Sequence, residues 1–149
     1  MNPRRAGHGS PPARSSRLTR FTGLLATAAL LAVAGCSGPG ADQAGQVAES
    51  FARLVGDEPA MACDLLAPGT REEVEKSTEK SCAEGLGDED LPEFSALVSV
   101  DAYGHDAIAR LGNDTIFLAR FPEGWRVTAA GCRPGPNDQK PFDCDVSGG

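Results

Sequence analysis

The apolar run Phe21–Ala34 ends at Gly35-Cys36, and that junction fixes how much of the 149-residue chain is available to fold. Ahead of it, residues 1–20 carry Arg4, Arg5, Arg14, Arg17 and Arg20 and no acidic residue. A basic segment, an apolar segment and a small-residue end, in that order, mark a secretory signal. The 14 uncharged residues fall short of the roughly 18–20 that a stable membrane-spanning helix needs, so a single-pass anchor is the weaker alternative. Residues 1–35 are therefore read as a signal peptide, with cleavage between Gly35 and Cys36. Arg4-Arg5 lacks the flanking residues of a twin-arginine signal, so the general secretory route is expected.

Removing the leader changes the electrostatics of what remains. From Cys36 onward there are nine Lys and Arg against 21 Asp and Glu, a net charge of −12. Phosphates of nucleic acid and of anionic headgroups carry the same sign and would repel such a body. No nucleic-acid partner is expected, and membrane attachment has to come from lipid rather than from a basic patch.

Five cysteines divide unevenly. Cys36 stands beside the leader, whereas Cys63, Cys82, Cys132 and Cys144 form an even set within the acidic body. Thiols exported to an oxidising compartment most simply become disulfides. Of the three pairings that four cysteines allow, Cys63–Cys82 and Cys132–Cys144 each join neighbouring elements across a short loop and are preferred. By chain entropy each would contribute about 3 kcal/mol, which matters to a small body with a modest core. A zinc site is the rival, but there is no CxxC pair, and His105 is the sole histidine after the leader. No metal and no cofactor are expected.

Residues 36–42 are small and aperiodic and read as a flexible tether; 43–149 form one extracytoplasmic domain. Ala44, Val47, Ala48, Phe51, Ala52 and Val55 recur at helical spacing, and Gly56 stops that helix. A short second helix opens at Pro59 and carries Met61, Leu65 and Leu66. Thr70-Arg71-Glu72-Glu73 has the form of a capping box, predicting a third helix from there to about Glu84. Beyond Pro92 the period becomes two, over Leu97–Tyr103, Asp106–Leu111, Thr115–Phe121 and Trp125–Gly131, with turn sequences between. The Pro- and Gly-rich stretch 132–149 reads as a tail loop pinned by Cys132 and Cys144. The expected fold is thus α+β, about three N-terminal helices packed on a four-stranded antiparallel meander, with two disulfides.

Few residues suggest chemistry. His105 has Asp106 beside it and Asp101 nearby, but Tyr103-Gly104-His105-Asp106 is hairpin-turn sequence, where an imidazole is solvated and has no oriented partner. Asp88-Glu89-Asp90 with Glu93 lacks the alternating spacing that wraps a calcium ion and reads as a solvated linker. Asp138, Asp143 and Asp145 read in the same way. Tyr103, Phe117, Phe121 and Trp125 fall on strands, as ordinary packing or as the lining of a pocket under the helices. No serine sits in a G-x-S-x-G elbow, and no cysteine of the even set is left to act as a nucleophile.

Val33-Ala34-Gly35-Cys36 places a thiol just beyond the apolar segment, held at the membrane surface, with small residues through which a peptidase can approach the backbone. The segment resembles the lipobox of bacterial lipoproteins, with Val33 where Leu is commonest. The resemblance implies a diacylglycerol thioether on Cys36, often with an added amide-linked acyl chain; two or more chains anchor durably. Arg outnumbers Lys 11 to 3 and there are two Ile, a bias that suggests a GC-rich, actinobacterial-type host. Over about 90 residues the body resembles small actinobacterial lipoproteins. Phe51, Gly56-Asp57, Ala62-Cys63-Asp64-Leu65-Leu66-Ala67-Pro68, Cys82-Ala83, Asp114-Thr115-Ile116-Phe117-Leu118, Gly124-Trp125-Arg126-Val127 and Gly131-Cys132 carry the likeness. The order of elements is similar to the nuclear-transport-factor-like cone, a scaffold that hosts enzymes, binders and inert modules alike. The expectation is a protein anchored to the extracytoplasmic face of the cell membrane through Cys36, non-enzymatic, and binding an unknown protein or small ligand. The alternative is a small enzyme using the cavity of the cone.

Overall fold

A computed structural model describes residues 38–112 and 114–148. Cys36, the leader and the cleavage junction lie outside them. The architecture is α+β, with four helices, α1 (Ala41–Asp57), α2 (Pro59–Cys63), α3 (Pro68–Thr78) and α4 (Cys82–Asp88). Six strands follow: β1 (Leu97–Tyr103), β2 (Asp106–Leu111), β3 (Asp114–Phe121), β4 (Gly124–Asn137), β5 (Lys140–Asp143) and β6 (Val146–Ser147). They form an antiparallel sheet of order β1-β2-β3-β4-β5, with β6 also on β4.

Alternation along the strands creates the core. Ala107, Ala109 and Leu111 on β2, Ile116 and Leu118 on β3, and Trp125 and Val127 on β4 are buried on one face. Across it lies α1, whose buried stripe Ala44, Ala48, Phe51 and Val55 follows the 3.6-residue period. The alanines of β2 leave room for the helix. Gly45 is needed as well, since a Cβ there would stand 3.2 Å from Val100 Cγ2 and 3.3 Å from Leu97 Cδ2. Phe94, from the linker ahead of β1, meets Phe51 edge-on at 6.2 Å between centroids and closes that end of the core.

Several details differ from the sequence-based expectation, each for a local reason. Ordered structure begins earlier than residue 43, because α1 starts at Ala41 and Ala41 is already buried. Gly40, at φ +91°, caps that helix against the Trp125 ring, and Gly38 lies against the carbonyl of Ala102. The expected third helix is two helices, α3 and α4, broken where Glu79 turns left-handed at φ 54°. Thr70 and Glu73 form no capping box. Pro68 suits the first turn, and Thr70 is buried, donating its hydroxyl to the Thr128 carbonyl at 3.0 Å to fasten α3 to the sheet. An S-x-x-E pattern, Ser81–Glu84, stands instead at the start of α4. There the Glu84 carboxylate accepts from the Ser81 hydroxyl (2.6 Å) and backbone, which holds its pKa below the usual carboxylate range.

The tail also departs from a loop, so the sheet has six strands rather than four, with β6 returning to β4 instead of extending the meander. β4 continues past Gly131, where a left-handed residue (φ 64°) bends it, and runs on to Asn137. Two disulfides, Cys63–Cys82 and Cys132–Cys144, tie α2 to α4 and the far half of β4 to the segment after β5. Sheet edges are covered piecemeal. Leu66 bridges Val127 in parallel, Ala67 N–H donates to the Val127 carbonyl at 2.8 Å, and β6 pairs with Ala129 and Ala130. The outer edge of β4 therefore presents little open backbone to a stray strand.

The two glycine environments separate a backbone requirement from mere helix content. Gly40→Ala forces a left-handed residue with a Cβ and should destabilise the protein by about 1–2 kcal/mol. Gly56→Ala, in α1 with nothing within 4 Å of a new Cβ, should be neutral or stabilise by up to about 1 kcal/mol. Urea unfolding followed by the emission of the single tryptophan, Trp125, measures both.

Candidate functional site

The residues with chemical promise do not converge. His105 is exposed in the β1–β2 turn with Gly104, and its backbone carbonyl accepts the Arg120 N–H at 2.7 Å. Asp101 faces away from the helices and is paired with Arg110. Asp106 is exposed at the start of β2. Asp88 pairs with Lys80, Asp143 with Lys140 at 2.6 Å, and Asp145 with Arg133. The Lys140 pair holds Asp143 below the ordinary carboxylate pKa, and the Asp145 pair holds Arg133 above the ordinary guanidinium value. The exposed pairs of Asp88 with Lys80 and of Asp143 with Lys140 contribute little to stability. Among the described residues no three His, Cys, Asp or Glu side chains gather as a metal-binding group.

The strand aromatics separate as well, so they do not line one pocket together. Trp125 is buried under α1, and its indole N–H finds no acceptor among the described residues. Phe117 points to the opposite face of the sheet, where Phe142 of β5 meets it edge-on at 4.8 Å. Tyr103 stands exposed, with 62% of its surface open. The depressions that exist are open grooves. One of about 530 Å³ runs between α1 and β1 past Ala41, Gln46, Glu49 and Val98. Another of about 440 Å³ lies between the α2–α3 segment and the β3–β4 turn, beside Arg71, Phe121 and Arg126. Arg126 there donates to the Asp64 carbonyl at 2.7 Å and so fixes the backbone that feeds α3.

What the fold builds deliberately is the β4–β5 hairpin, residues 133–143. Beyond Gly131 the pair leaves the layer that α1 covers, and Arg133, Pro134 and Pro136–Pro141 are all exposed. Pro134 and Pro136 give no N–H to a neighbouring strand, which suits a free-standing ribbon. Its tip is closed by Asn137, whose side-chain oxygen accepts from the N–H groups of Gln139 (3.1 Å) and Lys140 (3.0 Å). Its base is clamped three ways: by Cys132–Cys144, by the two-pronged Arg133–Asp145 pair at 2.7 and 3.1 Å, and by Phe142 on Phe117. An Asn-Asp turn signal at 137–138 stands in the sequence, but prolines on both sides disguise the strands as loop.

No protein-family model, no characterised protein and no solved structure matches this chain.

The clamp can be tested separately from the core. Replacing Cys132 and Cys144 with serine should lower stability by no more than about 3 kcal/mol and open 133–143 to thermolysin at Phe142 under native conditions. Equal cleavage of the hairpin in oxidised wild type and in the variant would contradict a disulfide-clamped arm.

Proposed function

We propose that this chain is a lipoprotein held at the extracytoplasmic face of the membrane by acyl chains on Cys36, and that it is a non-enzymatic module binding a partner protein. The leader, the Val33–Cys36 segment and the −12 body support the anchor, since a body of that charge needs lipid to stay at a membrane. Helices laid on one face of an antiparallel sheet support the cone-like reading of the layout. The observation that carries the binding role is the clamped β4–β5 hairpin. Ordering ten or so exposed residues is unfavourable in entropy, and these residues cover none of the core that α1 protects. A rigid ribbon of this kind loses little further freedom when it docks, which is the advantage of a preorganised recognition element.

Intact mass of the membrane fraction should show loss of residues 1–35 and gain of acyl chains, with Cys36→Ala released from the membrane. A photo-crosslinking residue at Gln139 should give a discrete adduct on intact cells, and one at Lys76, exposed on α3, should not. A Cys36→Ala protein that stays in the membrane contradicts the anchor. Absence of a Gln139 adduct contradicts the role given to the arm.

A further inference from the structure

Resting on the reading of Cys36 as the lipid anchor, we infer that the end of the sheet bearing the Gly104-His105 and Pro122-Glu123 turns lies against the lipid surface, while the Asp138-Gln139 tip is directed away from it. Chain length sets the constraint. Ser37 alone stands between Cys36 and Gly38, so the two Cα atoms can be separated by about 7 Å at most. Gly38 does not belong to a loose linker. It lies against the Ala102 carbonyl, one residue before Tyr103, with no space for a side chain. Gly40 is wedged on Trp125, where a Cβ would stand 3.2 Å from the ring Cζ2, and its carbonyl accepts the Ala44 N–H of α1 at 3.0 Å. The chain thus enters the folded body between the last residues of β1 and the first of β4.

Both hairpin turns project from that same end, because β1 and β3 finish there and β2 and β4 begin there. The surface suits the position. Residues 103–106 and 120–126, with Asp42 of the first turn of α1 and the Asp64–Arg71 pair beside Arg126, set three arginines against four carboxylates, a side-chain charge of −1 on a body of net −12. That end escapes most of the repulsion that anionic headgroups exert on the remainder. Tyr103, exposed at its rim, is a side chain with an apolar ring and a polar tip, the type that settles at a membrane–water boundary. β4 then runs from this end through the bend at Gly131 to Asn137, which carries the clamped arm to the opposite side.

Trp125 is the single tryptophan and lies at this end, so it serves as a native probe. The full chain, processed in a lipoprotein-maturing bacterium, is reconstituted into phosphatidylcholine vesicles with and without a nitroxide-headgroup lipid. Trp125 emission should be quenched by the nitroxide lipid. Emission added by Gln139→Trp should escape quenching. A flexible Gly/Ser insertion of about 12 residues between Ser37 and Gly38, with a root-mean-square span of about 20 Å, should relieve the quenching of Trp125 while the protein still floats with the vesicles. Floating protein with unquenched Trp125, or quenching that the insertion leaves unchanged, overturns the orientation alone. Protein that carries no acyl chain and fails to float overturns the anchor, and the orientation with it.

Discussion

Contact between the apolar stripe of α1 and the inward face of β1–β4 is the interaction on which everything else depends. Among the described residues four helices and every strand but β5 share this one core, to which Phe51 contributes a wholly buried ring backed by Phe94. The buried strand residues include small ones on β2, Ala107 and Ala109, and larger ones on β3 and β4, and Phe51 is the large side chain that α1 adds to them. The weakness of such a core is its size. Many of its members are alanine, each burying little apolar surface, and the dispersion and transfer gains of a few large side chains dominate.

The two disulfides compensate at the periphery, where this core does not reach. α2 and α4 are five and seven residues long, too short to persist on helix propensity. Cys63–Cys82 ties them to each other, and the buried Thr70 ties α3, between them, to the sheet. Cys132–Cys144 performs the same service for a ribbon that buries almost nothing. A rigid α1–sheet body and stapled accessories divide the labour: the core fixes where the chain enters, and the staples fix what it presents.

Much of this was legible in the residues. The α1 stripe, the change of period after Pro92 and the alternation along β2 and β3 are direct consequences of burial on one face, and the short cysteine spacings point to the pairs that form. What was illegible depended on tertiary partners. Thr70 looks like a cap until Thr128 is found opposite it, and Ser81 looks like a helix interior until Glu79 breaks the chain before it. Prolines 134, 136 and 141 signal loop, and only the clamp at their base lets them lie in strands. The aromatics could not be assigned to faces from their types alone. Two register shifts between β3 and β4 place extra residues on β4 between Val127 and Cys132, so regular alternation cannot be carried along β4 from Trp125 to the tail.

For function, the consequence is a body whose two ends differ in character: one receives the chain close to Cys36, the other carries a preorganised arm. The first depends on α1 being locked to the sheet, because Gly38 and Gly40 lead directly into the first turn of that helix. The most direct measurement is urea unfolding of Phe51→Ala beside Phe117→Ala, two rings on opposite faces of the same sheet. Loss of Phe51 should lower stability by about 3–5 kcal/mol, and loss of Phe117 by less than half as much. Equal losses, or a greater loss at Phe117, would contradict a single core between α1 and the inner face.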